Sequence, residues 1–233
     1  KVIWTRGNVI NVVRYGHTSN DKIIGDPKKK IVQTYHISRK QYEAVKAGDA
    51  TSGTLQRHEL TEANCLDCNQ RGNGCYVDKG MQAMGMFSMV KSIVRQYPNW
   101  QDIPTNPDMD IISAMCRGTY VRFGTYGEPI MLRFPLVQHM AALASSYTGY
   151  THQYASPFYQ AYKAYFMAST DDSTRGTTDG WREFSMTNDS TPQRVMVSCP
   201  ASKEGGMKTN CAKCGLCSGI SGKGKKSVII IEH

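Results

Sequence analysis

Residues 119–170, TYVRFGTYGEPIMLRFPLVQHMAALASSYTGYTHQYASPFYQAYKAYFMAST, carry the pattern that decides the fold. The apolar runs at 119–123, 147–150 and 165–168 have strand length and aromatic content, and the segments between them, 136–145 and 157–164, are amphipathic and helix-length. The alternation continues with a helical stretch near 180–183 and a strand at 194–198. Parallel neighbours need a crossover connection, usually a helix, so this rhythm predicts a mainly parallel sheet. The expected architecture is α/β: a partial TIM-like (β/α) barrel with cysteine-rich metal-binding loops. Chemistry in such folds gathers past the carboxyl ends of strands. That rule selects residues 124–128, Thr151 and His152, residues 169–172, and Cys199.

Upstream, residues 2–14 alternate apolar and polar, and 31–36 reads as a further strand after Lys28-Lys29-Lys30. Ser38 opens a helix that stops at Gly48, a polar loop runs to Cys65, and a Met-rich helix covers 81–96. A loop follows around 98–110. Downstream, the glycine-rich 218–226 leads into a last strand, SVIIIEH, at 227–233. Neither an internal repeat nor a linker divides the chain. Residues 1–233 therefore read as a single α/β domain, with 1–60 packed on the barrel and 199–219 forming a cluster loop.

With 233 residues, 40% of them hydrophobic, the chain can bury a sizeable core, which excludes a disordered tail or a coiled coil. Twenty-eight Lys and Arg against nineteen Asp and Glu leave +9. Such a charge suits nucleic acid or an acidic redox partner, or offsets bound anionic groups. No apolar run is long enough to span a membrane and the amino-terminal stretch lacks a signal-peptide h-region, so the expectation is a cytoplasmic protein without a membrane partner. Walker, GxGxxG, HExxH and GxSxG patterns are absent, which leaves nucleotide, protease and esterase readings without support.

Seven of the eight cysteines are clustered. Cys211, Cys214 and Cys217 form a C-x2-C-x2-C run, the spacing with which bacterial ferredoxins wrap a cubane cluster, and Cys199, followed by Pro200, is the natural fourth ligand. Gly205, Gly206, Gly215 and Gly219 are expected to let backbone N–H groups approach sulfide. A zinc site is the rival, although structural zinc usually takes cysteines in separated pairs. The other group, Cys65, Cys68 and Cys75, lies beside Asp67, Asn69 and Asn73. It offers three ligands, so a cluster there keeps one iron open. Alternatives are completion by Cys116 or by a nonprotein ligand, or one zinc shared by Cys65, Cys68, Cys211 and Cys214. By default Cys116 is a buried free thiol.

The stretch after the strand at 119–123 resembles the Gly-Gly-Glu-Pro element of radical S-adenosylmethionine enzymes: Gly127, Glu128 and Pro129 match, and Tyr126 stands at the first glycine. The resemblance implies a partial TIM barrel, a cluster loop upstream as at Cys65–Cys75 (with Tyr76 beside a ligand), and S-adenosylmethionine held at Gly127 and Glu128. The family's C-x3-C-x2-C spacing is not present. The whole pattern, from the CY loop through GEP to CPAS and CxxCxxCSG, also resembles an uncharacterised family of tailed-phage iron–sulfur proteins, which implies a bacterial host cytoplasm.

The leading expectation is an iron–sulfur protein with one or two [4Fe-4S] clusters, acting in electron transfer or cluster-dependent redox chemistry. If it is an enzyme, it is an oxidoreductase or radical-SAM-like, with Glu128 and His152 as candidates for holding a small-molecule substrate. Against these roles stand a hydrogen-bonded loop histidine and pairing of Glu128 with Arg122 or Arg133. Asp171 and Asp172 read as caps, and Tyr147, Tyr150, Tyr154, Tyr159, Tyr162 and Tyr165 as packing rather than base-stacking residues. The alternative class is a zinc-stabilised phage protein that binds nucleic acid or a host partner.

Overall fold

The computed structural model describes residues 1–18, 20–68, 70, 71, 75, 80–188 and 196–231. Strands β1 (Val2–Arg6) and β2 (Val9–Gly16) form an antiparallel hairpin turned at Gly7, and β2 pairs antiparallel with β3 (Ile31–Ser38). The short helix α1 (Asp21–Ile24) lies between them in sequence. Ser38 ends β3 and starts α2 (Arg39–Ala47) with a capping box: its hydroxyl accepts from the Gln41 N–H, and the Gln41 side chain accepts from the Ser38 N–H. Gly48, at φ +85°, closes that helix.

Helices α3 (His58–Cys65), α4 (Gly80–Gln96) and α5 (Met109–Cys116) precede β4 (Tyr120–Tyr126), which lies parallel to β3. Helix α6 (Phe134–Leu143) then crosses over to β5 (Ser146–Thr148), parallel to β4. One residue on, β6 (Tyr150–Thr151) begins a second sheet with β7 (Met167–Thr170), β8 (Glu183–Thr187), β9 (Met196–Ser198) and β10 (Ser227–Ile231). Between β9 and β10 lies the single turn α7 (Cys211–Cys214). The sheet orders are β1-β2-β3-β4-β5 and β6-β7-β8-β10-β9, and every pair in the second is parallel. The chain is thus mixed α/β with parallel strands from β3 onward, as the alternation predicts.

Gly149 is the joint between the sheets. A Cβ there would lie 2.5 Å from Cδ1 of the fully buried Phe166 and 3.2 Å from Cβ of Phe123, so only glycine lets the backbone pass. Phe123 and Phe166 belong to a core with Val121, Val137 and Met140, and another core packs α2 and α4 on the hairpin sheet through Ile10, Ile37, Tyr42, Val90 and Ile93.

Several expectations need correction. The polar loop before Cys65 ends in α3, and the loop at 98–110 runs into α5. Thr61 and Asn64 are buried polar residues, which hides the apolar period of α3. Residues 180–183 are not helical: Asp179 and Gly180 turn at positive φ and Glu183 opens β8. Residues 157–164 form a 3-10 helix. Residues 69, 73, 76, 194, 195, 232 and 233, named above, lie outside the described residues. No helix among the described residues is long and apolar enough to cross a membrane.

Gly149→Ala is expected to cost about 1–3 kcal/mol through overpacking against Phe166. Gly85→Ala, in α4 where a Cβ meets nothing within 4 Å, should instead gain roughly 0.5–1 kcal/mol. Equilibrium urea unfolding of both variants measures the two signs.

Candidate functional site

Successive side chains of a strand point to opposite faces, and Tyr120, Arg122, Gly124 and Tyr126 of β4 share one face. They line a cavity of about 640 Å³ together with Thr148, Tyr150 and His152, and with residues of β7, β8 and β10. All seven clustered cysteines open onto this cavity. The two groups occupy different parts of it: Tyr126 feels the charges of Cys65 and Cys75, whereas Tyr120, at the other end of β4, feels those of Cys211 and Cys217.

The first group hangs from the end of α3. The Asn64 side chain donates to the His36 carbonyl at 2.8 Å, and the Asn64 carbonyl accepts from the Glu128 N–H at 2.8 Å, which ties Cys65 to β3 and to the segment leaving β4. Gly127, at φ +72°, completes the latch: a Cβ would lie 2.9 Å from Cβ and O of His36 and 3.0 Å from the Asn64 carbonyl. Leu66 then turns at φ +48°, and the Cys68 N–H donates to the Cys65 carbonyl at 3.2 Å. Burial, followed by the charges of Glu128, Cys68 and Cys75, pushes the Cys65 thiol far up.

Glu128 is buried, and its carboxylate accepts from the Thr151 hydroxyl at 2.6 Å, the His152 N–H at 3.2 Å and His152 Nδ1 at 2.8 Å. Its partner is therefore His152 rather than Arg122 or Arg133. Burial alone would lower the His152 pKa, but hydrogen bonds with Cys68 and Glu128 outweigh it and raise the imidazole to about 10. A sulfur of Cys68, an oxygen of Glu128 and a ring nitrogen of His152 lie within 4.8 Å of one another, a grouping able to hold a metal ion.

The second group is built on α7. Asn210 caps it, its side-chain oxygen accepting from the Lys213 N–H at 3.1 Å, and Gly215 ends it at φ +64°. One turn puts Cys211 and Cys214 on the same side. Cys217 follows, buried, with its carbonyl accepting from the Gly149 N–H at 3.3 Å. Cys199 arrives from β9, its N–H donating to the Ile229 carbonyl at 2.8 Å. Burial raises all three resolved thiols, Cys199 upward, Cys211 to about 11 and Cys217 to about 12, and neighbouring cysteines add to each shift. The N–H groups of Ala201 and Ser202 on Cys199, and the Tyr150 hydroxyl on Cys217, favour the thiolates.

Cys199 follows the carboxyl end of β9, as the rule of strand ends selects, but the cysteines of α7 do not obey that rule. Cys211 packs with Ile31 and Tyr120, the starts of β3 and β4, and the Ser146 hydroxyl donates to the Ala212 carbonyl at 2.7 Å. Gly205 and Gly215 also differ from expectation. Gly205 presses against the Cys199 carbonyl and gives its N–H to Ser202 Oγ at 3.1 Å, and the Gly215 N–H goes to the Cys211 carbonyl at 3.0 Å. Each serves the chain's own turns instead of a sulfide. Cys116 lies in the core beside Ile112 and Val121, away from both groups, and burial pushes it to about 12. Asp171 does cap, through Ser173 and Thr174, but it caps a turn rather than a helix.

Two residues are not recognised as site residues in the sequence, where Tyr150 reads as packing. Tyr150 shares the inward strand period of Thr148 and His152, a signal available from the sequence. Arg182 is buried with its guanidinium on the carbonyls of Gly219 (2.9 Å) and Lys226 (2.5 Å), within the field of Cys217, and nothing in WREF marks it. Family models, curated proteins and solved structures return no match to the chain.

In metal-free protein, Glu128→Gln leaves His152 without its buried anion. The expected result is a loss of about 3 kcal/mol in guanidinium unfolding at pH 7 and an imidazole that titrates lower than in the parent by NMR, with Cys68 left as the group that raises it. His36 gives the pH dependence. Buried with Nδ1 on Asn11 Oδ1 at 2.9 Å, it is lowered by burial to about 3. Its folded value lies below the unfolded one, so the unfolded chain binds the proton first and stability falls as pH drops from about 6.5 toward 3. Unfolding curves should show about 3 kcal/mol of this loss between pH 6.5 and 4, and His36→Gln should lack it.

Proposed function

We propose that the chain is an iron–sulfur protein, with a [4Fe-4S] centre at Cys199, Cys211, Cys214 and Cys217 and a second centre at Cys65, Cys68 and Cys75, working in electron transfer or cluster-dependent redox chemistry. The observation that carries this reading is the opening of both cysteine groups onto one cavity. A scaffold like a partial barrel accords with it, because β3 to β5 run on through Gly149 into the parallel second sheet.

The donor set fits the group. Four thiols without a carboxylate or imidazole among them suit iron–sulfur or zinc. A single tetrahedral zinc, with bonds near 2.3 Å, would draw its sulfurs to about 3.8 Å of each other. Among the described residues no three of these sulfurs are grouped within 4.8 Å of one another, wider than a closed tetrahedral zinc site draws them. An iron–sulfur core supplies one-electron chemistry when bound. The chain's own share is to supply thiolates, to give N–H and O–H donors to Cys199 and Cys217, and to keep Arg182 charged nearby; these donors and this charge favour the reduced, more negative state. At the first group, Cys65, Cys68 and Cys75 would hold a centre with one iron lacking a thiolate, and Glu128 and His152, which line the same cavity, would orient or protonate a substrate.

S-adenosylmethionine fits less well. The Tyr126 hydroxyl is held between Gln41 and Gln56 at 2.5 Å each, and the Glu128 carboxylate is taken by Thr151 and His152. No step is therefore routed through that cofactor.

Protein purified without oxygen and reconstituted with iron and sulfide should contain about four of each per complete centre and absorb broadly in the visible. A colourless protein with one zinc would overturn the proposal. Cys214→Ala should remove the absorbance of the centre at Cys199, Cys211, Cys214 and Cys217. Tyr150→Phe should keep it but lower its reduction potential by roughly tens of millivolts, measured by spectroelectrochemistry.

A further inference from the structure

Behind α7, on the side away from the cysteine cavity, lies a separate groove of about 700 Å³. Lys28, Lys29, Lys30 and Lys213 line it, and no Asp or Glu does. All four lysines are exposed. The wall between groove and cavity is one turn of helix: Cys211 and Cys214 line the cavity, while Ala212 and Lys213 line the groove, and Tyr120 borders both. Lys223 extends the positive field, its stem lying beside Gly215 at the end of α7.

We infer that this groove is the docking surface for an acidic one-electron carrier protein, which delivers electrons to the centre held behind α7. The inference rests on the proposed function of the second cysteine group. Charge complementarity selects the partner: four lysines without a neutralising acid attract a carboxylate-rich face and steer its approach. The position selects the role, since a carrier seated there has only the α7 turn between itself and the thiols. In the step, the reduced carrier gives up one electron, the centre gains it, and no bond forms or breaks. Nucleic acid is less well suited. No arginine lines the groove to fork onto phosphates, and the one exposed ring, Tyr15, is covered by Lys30 Nζ at 5.6 Å from its centroid instead of being presented to a base.

The test uses the reconstituted chain and an acidic flavodoxin as probe, with affinity measured by calorimetry and the rate of reduction by stopped-flow absorbance at low and high salt. The variants are Lys28→Glu/Lys29→Glu/Lys30→Glu, Lys213→Glu, and Lys46→Glu on α2, outside the groove. The expected result is a salt-sensitive complex that the triple variant and Lys213→Glu each weaken about ten-fold or more, with the reduction rate falling in step, while Lys46→Glu behaves as the parent. Equal binding by all variants, in protein that holds its iron and sulfide, overturns the docking surface and leaves the proposed function standing. So does groove-dependent binding of a 20-base-pair DNA duplex in place of flavodoxin. Failure to retain iron and sulfide instead overturns the function on which the inference rests.

Discussion

Bringing seven thiols to one enclosed space is the constraint around which the rest of this molecule is arranged. Away from water a thiol resists losing its proton, and each thiolate formed makes the next harder, as the raised Cys65, Cys211 and Cys217 show. Such an assembly is stable as neutral thiols, or as thiolates around a cation that repels none of them. The chain prepares the second state as well: peptide N–H groups point at Cys199, a phenol points at Cys217, and Arg182 stands near with only carbonyls as partners.

Positioning the thiols demands close approaches that ordinary side chains would block. Gly127 lets the segment after β4 touch His36 and Asn64, which ties the end of α3 to the carboxyl end of β4. Gly149 lets the backbone cross Phe166 and donates its N–H to the Cys217 carbonyl. The hydrophobic core thus holds the cysteine loops by contact with glycine backbone, where no rotamer freedom blurs the geometry.

Much of this could be read from residue spacing. The alternation from β4 onward, the capping box at Ser38, and the CxxCxxC turn are local patterns, and local patterns survive into the folded chain because hydrogen bonds and side-chain periods act over a few residues. Helix α3 and the opening of β8 were hidden, because buried Thr61, Asn64, Arg182 and Glu183 look like surface residues until their partners are known. Glu128 was legible as a site residue but not as the mate of His152, twenty-four positions away.

What the sequence determined unaided was the chemistry available and the class of scaffold: cysteines grouped at C-x2-C-x2-C and C-x2-C-x6-C spacing, a parallel α/β framework, and an excess of lysine. Only the tertiary structure decided that the two cysteine groups face each other along β4, that His152 is held against Cys68 and Glu128, and that lysines far apart in the chain back onto the α7 turn. The reason is physical. Periodicity fixes which side of an element a residue occupies, whereas the meeting of distant elements depends on packing volumes and desolvation, which no short stretch of chain contains.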